Sequence, residues 1–247
     1  MPGPGAAERE RPGYRRRILI EPAPGRVTAE LEDDYHRMVV TLGHDGARVT
    51  SVEAAMKRSP WTTCPGAIRQ LAQTFTGLTL DAAGARAEKT RNCTHLFDLA
   101  TFACAHAGEA GPVAYEIIVT DPVDGAQVTQ LWRNGALLFD WRMAGGRFAA
   151  PAELAGADRS AIPGWVAAQP PELQEAARIL RWAAMIAIGR GHDIPAGIDA
   201  TRFGSGACFS FQPEVAGIAR RRPGADVDFA AIGAPPMADR DAMFGPA

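Results

Sequence analysis

The sequence predicts an α+β fold, and three observations carry that expectation. Runs of period-two apolar alternation occur in both halves of the chain, helical periodicity is confined to a few separate stretches, and the two do not alternate in a regular strand–helix–strand rhythm. A chain of 247 residues with 47% hydrophobic content can bury an ordinary core as one large or two modest domains.

In chain order, residues 1–13 are rich in Pro, Gly and charge and read as a disordered N-terminus. Arg17 to Ile20 is expected to be the first strand. Val27 to Leu42 is expected to form one long or bulged strand, in whose second half His36, Met38, Val40 and Leu42 alternate with Arg37, Val39 and Thr41. The turn residues GHDG at 43–46 signal a hairpin, with Ala47 to Met56 as the return strand. Ile68, Leu71, Ala72 and Phe75 fall at helical spacing before Gly77, and a polar loop over 81–92 precedes a second helix carrying Leu96, Leu99, Ala100, Ala103 and Cys104. Three strands follow, 113–120, 127–132 and 136–143, with Asn134-Gly135 as a hairpin signal between the last two. Pro171 to Ile188 is expected to be a helix, with Leu173, Ala177, Leu180, Ala184 and Ile188 on one face. Residues 231–247 are Ala/Pro/Gly-rich and read as a flexible tail.

Charge and targeting narrow the function classes. A net charge of −2 offers no bulk attraction for polyanions, and the arginine runs at 15–17 and 220–222 read as solvated segments, so neither nucleic acid nor membrane is an expected partner. No apolar signal core or membrane-length run is present, which points to the cytoplasm; a homodimer is compatible with the composition. Four widely spaced cysteines in a reducing compartment are buried thiols, metal ligands or nucleophiles rather than a disulfide framework.

The chemistry-bearing residues lie in the first half. If Asp34-Tyr35-His36 is extended, Asp34 and His36 point to one face, where both can bind a metal ion. Cys64 in WTTCP and Cys93 in RNCTHLFDLA each sit at a helix start, where free amides favour a thiolate. Together Asp34, His36, Cys64 and Cys93 make a candidate ligand set for one divalent ion, zinc or iron. Tyr35, Arg58, Trp61, His95 and Asp98 neighbour those ligands in sequence. Arg58 either clamps a substrate carboxylate or pairs with an acidic neighbour, and Trp61 either stacks on an aromatic substrate or packs in the core. His95 is a general acid/base, a supporting group for a ligand, or a capping histidine. Cys104 and Cys208 read as apolar thiols, the latter with a lesser role in closing a pocket.

The run from LEDDYHRM through RSPWTTCPGA to NCTHLFDLA resembles the NifU/IscU and SufE group of iron–sulfur scaffold proteins over Val27 to His106. The resemblance implies a sheet-plus-helices first half (14–110), on which a second antiparallel meander and helix (111–230) pack. It places Asp34 and His36 where those proteins carry a cysteine and an aspartate, and Cys64 and Cys93 at their later cysteines. With Asp34 replacing a thiolate, the set is harder than a cluster needs and suits a mononuclear ion. The segments LEDDYHRM, RSPWTTCPGA, CTHLFDLA and the late GACFSFQPE also resemble a bacterial domain-of-unknown-function family, numbered 2889.

The expected function is metal-dependent catalysis, lyase or hydrolase, on a small organic and in particular aromatic substrate. Asp34 would ligate weakly or orient a water at the metal, with Tyr35 and His95 assisting and Arg58 and Trp61 binding substrate. The alternatives are a metal or iron–sulfur carrier, and a Cys64-based sulfur acceptor whose metal is structural.

Overall fold

The alternation that predicts strands also decides what each strand faces. In the computed structural model, which describes residues 6–85 and 88–244, a helical turn α1 (Ala6–Arg9) precedes β1 (Gly13–Ala23), β2 (Arg26–Asp33), β3 (Arg37–His44) and β4 (Val49–Arg58). Helices α2 (Ala67–Phe75) and α3 (Thr94–Ala105) follow, then β5 (Val113–Thr120), β6 (Gln127–Arg133), β7 (Ala136–Ala144) and β8 (Arg147–Ala150). The chain ends with α4 (Ile162–Ala167), α5 (Pro171–Ala187) and two short turns, α6 (Pro213–Ala216) and α7 (Phe229–Ile232). The strands form a sheet in the order β4-β3-β2-β1-β5-β6-β7-β8, and the fold is α+β. The pairings β2–β3, β3–β4, β5–β6, β6–β7 and β7–β8 are antiparallel.

The chain divides into two compact units, one of residues 18–113 and 194–227, the other of residues 1–17, 114–193 and 228–247. The sequence groups 111–230 as one piece; the structure instead packs 194–227 with the early strands.

In the first unit the expected long strand over 27–42 is a tight hairpin. β2 and β3 pair with Leu31 opposite Met38 and Glu32 opposite Arg37, and Asp33 N–H donates to His36 O at 2.8 Å, leaving Asp34-Tyr35 as a two-residue loop. Val27, Ala29, Leu31, Met38, Val40 and Leu42 line one face, all buried, and α3 lies on that face of β2 and β3. The other face is a charge ladder in which Arg37 and Lys57 meet Glu30 at 3.2 and 3.0 Å, and Arg58 meets Glu32 at 3.2 Å. The β3–β4 turn matches expectation: the Asp45 carboxylate accepts the amides of Ala47 and Arg48, holding its acid below the usual carboxylate range. α3 is buried almost all round, and its Phe97 meets Phe75 of α2 edge-on at 5.1 Å.

In the second unit β5 to β7 match the expected meander, and Asn134-Gly135 turns with both residues at positive φ, the geometry of a two-residue hairpin. Trp141 packs edge-on against Phe148 and Trp165. On α5, Ala177, Leu180 and Ala184 are buried as the periodicity predicts, whereas Ile188 is exposed because the regular helix has already ended.

Both chain ends depart from composition where they are described. Residues 1–5 and 245–247 of the expected disordered ends lie outside the described residues. Within 231–244, Met237 and Phe244 are buried, and Arg17 pairs with Asp241 and stacks over Phe244 at 4.3 Å. The arginines at 15–17 are buried rather than solvated. Arg16 lies 4.1 Å from the Trp182 ring centroid, and Arg17 bonds Glu116 at 2.7 Å, so aromatic faces and a carboxylate replace their water. In the second run Arg221 is buried beside Asp226, while Arg220 and Arg222 are exposed. No helix is long and apolar enough to cross a membrane among the described residues.

Candidate metal centre

The β2–β3 hairpin fixes which side chains meet. In one extended strand Asp34 and His36 would share a face; across a two-residue loop, it is the closing pair Asp33 and His36 that point together, continuing the Leu31–Met38 face. The first turn of α3 brings His95 over them. Asp33, His36 and His95 thus present one carboxylate and two imidazoles whose ligand atoms lie within 4.8 Å of one another. Among the described residues, this is the set of three or more such ligands that comes together; Asp34, Cys64 and Cys93 stand outside it.

The three side chains are buried, with Asp33 fully so. Asp33 Oδ1 accepts the amides of Tyr35 and His36, each at 2.8 Å, and sits 3.0 Å from His36 Nδ1. That spacing suits an Nδ1–H donated to the carboxylate, which leaves Nε2 as the ligating nitrogen. The rings of His36 and His95 stack at 3.8 Å between centroids and 28° between planes. Imidazole lone pairs lie in the ring planes, so two nearly parallel stacked rings do not aim at one point, and binding a shared ion would require them to splay.

Arg58 is the clamp of this hairpin. Its guanidinium donates to Asp33 O at 2.6 Å, Asp34 O at 2.8 Å, His36 O at 3.4 Å and Ala225 O at 3.2 Å, and also meets Glu32. With its Nη groups shared among main-chain carbonyls and Glu32, it holds the hairpin as a positioning residue. Val227 N–H donates to Asp34 O at 2.7 Å, tying the later segment to the same turn. Tyr35 occupies the loop with its ring edge-on to His36 at 6.2 Å, and Asp34 is buried beside it.

The remaining candidates disperse. Trp61 is a core residue, edge-on to Phe203 and Phe211 at 5.4 Å each, in a cluster with Cys64, Ala200, Ala216 and Ala219. Asp98 pairs with Lys89 at 2.6 Å. Cys64 and Cys93 do not behave as helix-start thiolates: burial pushes both thiols up, and for Cys93 the neighbouring Cys64 and Cys208 push further, outweighing the hydrogen bonds and amides that favour the charged form. Asp33 is the site residue the sequence reading missed. The available signal was the doubled Asp33-Asp34 ahead of Tyr-His, and it was masked because Asp-Tyr lacks the Gly or Asn that marks two-residue hairpin loops.

A family model described as "Protein of unknown function (DUF2889)" matches residues 21–107. The matched region contains Asp33, His36, Arg58, Cys64, Cys93 and His95, whereas the late GACFSFQPE segment lies beyond it. None of the curated proteins matches the chain.

Proposed function

We propose that the chain is a metal-dependent enzyme of the lyase or hydrolase type, acting on a small organic substrate, with one divalent ion, zinc or iron, bound by His36 and His95 and supported by Asp33. The observation that carries this reading is the buried convergence of Asp33, His36 and His95 within 4.8 Å. Two imidazoles beside a carboxylate suit zinc or iron, and so small a ligand set leaves coordination positions open, as catalytic sites require. When bound, such an ion supplies Lewis-acid polarisation of a substrate oxygen.

The protein groups divide the remaining work. Asp33 holds the His36 ring in one tautomer and orientation through Nδ1. Arg58 holds the hairpin that carries both residues. Tyr35, on the loop beside His36, would be the group that exchanges a proton with a bound substrate. With Trp61 in the core, nothing at the site argues for an aromatic substrate in particular. A Cys64 nucleophile is disfavoured by the burial that keeps its thiol protonated.

Elemental analysis of purified protein, with the His36→Ala, His95→Ala and Asp33→Asn variants alongside, tests the reading. The expected result is a single zinc or iron per chain, lost in both histidine variants and bound about 10–100-fold more weakly in Asp33→Asn. Activity against a panel of small esters and hydroxy acids should appear only with metal loaded. A wild type that folds but cannot be loaded, or histidine variants that keep the metal, would overturn it.

A further inference from the structure

The end of β5, the start of β6 and the end of α5 border an open cleft of about 430 Å³. Its lining comes from within residues 119–192 and so belongs wholly to the second unit. That volume is in the range of small-molecule sites, which combine apolar walls with a few polar groups. Val119, Pro122, Ala187 and Ile188 supply the apolar wall. Ile188 is 52% exposed, so a ligand that covered it would gain from the apolar surface withdrawn from water.

Two guanidiniums line the cleft, and they differ in what neutralises them. Arg190 donates through Nε and Nη2 to the two carboxylate oxygens of Asp121 at 2.9 and 3.0 Å, and Nη2 also reaches Asp228 at 3.0 Å, so its charge is matched. Arg159 differs: among the described residues no carboxylate pairs with it, and its Nη2 donates to the amide oxygen of Gln127. Gln127 is itself held, its Nε2 donating to Thr120 O at 2.9 Å. Asp158, next to Arg159 in sequence, accepts the Ser160 amide at 2.8 Å, and the cation that stabilises its carboxylate is Arg147. Arg159 is thus positioned by a neutral amide that leaves its charge uncancelled. Partial burial draws the guanidinium below its usual range with no acid opposing the effect.

We propose that this cleft binds a small aliphatic monocarboxylate, with Arg159 taking the carboxylate and the wall of Val119, Pro122, Ala187 and Ile188 covering the hydrocarbon chain. A guanidinium offers a planar fork of donors that matches a carboxylate. With Arg190 matched by Asp121, the lining carries a single surplus positive charge, which suits a monoanion better than a phosphate or a dicarboxylate. An acid without a chain would leave the apolar wall uncovered, and an alcohol would leave the guanidinium unmatched, so the two parts together define the ligand class. The site does not depend on the metal reading of Asp33, His36 and His95.

The test is a titration of the full-length protein with hexanoate, followed by protein NMR, with 1-hexanol and acetate as probes of each half of the ligand. Hexanoate should bind saturably at a single site and shift the amides of Arg159 and Ile188, with hexanol and acetate each at least about tenfold weaker. Arg159→Gln and Ile188→Ser change exposed side chains. The first should weaken hexanoate at least about tenfold and the second about threefold or more. His36→Ala should bind hexanoate as the wild type does, which separates the cleft from the metal centre. Absence of saturable binding, hexanol or acetate matching hexanoate, wild-type affinity in either cleft variant, or loss of hexanoate binding in His36→Ala would each overturn the proposal.

Discussion

Arg58 shows how much one side chain can decide. It spans main-chain carbonyls of Asp33, Asp34 and Ala225 at 2.6 to 3.2 Å, of which Asp34 O also accepts the Val227 amide. Truncation withdraws a donor from several partly buried acceptors at once, so Arg58→Ala is expected to cost about 2–4 kcal/mol of folding stability, read as a lower urea midpoint. Arg58→Lys should recover only part of the loss, because one ammonium cannot reproduce the planar fork. A midpoint unchanged in Arg58→Ala would show that the carbonyls find other donors. At this scale the sequence is informative about residue type and less so about role. His36 was legible from its spacing, but its partner moved by one position, from Asp34 to Asp33, because a loop without Gly or Asn hid the hairpin. Arg58 and Trp61 were each open to two readings: Arg58 does meet the acidic Glu32 but also clamps the hairpin, which neither reading held, and Trp61 packs in the core, through residues far away in sequence, Ala225 for the first and Phe203 and Phe211 for the second.

Among the elements, α3 carries the site and much of the core of its unit. Phe97, buried and edge-on to Phe75, should cost about 3–5 kcal/mol as Phe97→Ala, measured by denaturant unfolding. Further along α3, burial pushes the Cys104 thiol up to about 12, against 9.0 for the ordinary group. The folded state therefore favours the neutral thiol: this contribution is complete below about pH 9 and is lost as pH rises from there through 12. Unfolding free energy measured from pH 8 to 11 should fall less steeply in Cys104→Ala than in the wild type; parallel slopes would remove Cys104 as a cause of alkaline loss. Helices α2, α3 and α5 were legible from their apolar periodicity, and β5 to β7 because Asn134-Gly135 marks their turn. β8 escaped notice because four residues are too short for alternation to show, and β1 looked shorter than it is because the arginines near its start read as solvated, whereas Arg16 is covered by Trp182 and Arg17 is paired with Glu116, far along the chain.

For the whole molecule, composition was the poorest guide at the ends and at the division into units. The segment 194–227 has little regular structure of its own, so no local period shows that it packs with residues 18–113. The C-terminal stretch reads as loose because Ala, Pro and Gly dominate it, yet two large residues in it are buried and one aspartate meets a buried arginine. Met237 is fully buried, Phe244 nearly so with Arg17 stacked over its ring, and Arg17 Nη1 donates to Asp241 at 2.6 Å while Glu116 holds its other side. Deleting residues 235–247 exposes the apolar surface these two side chains cover, worth on the order of 3–6 kcal/mol together, and removes one of the two acidic partners of a buried cation. The truncated protein should melt well below the full chain. Asp241→Asn alone should have a small effect, since Asp241 is largely solvated and Glu116 remains, whereas Phe244→Ala should reproduce a substantial part of the truncation. If instead truncation left the melting temperature unchanged, the packing of Met237 and Phe244 would contribute nothing net, and the tail would be as dispensable as its composition suggests.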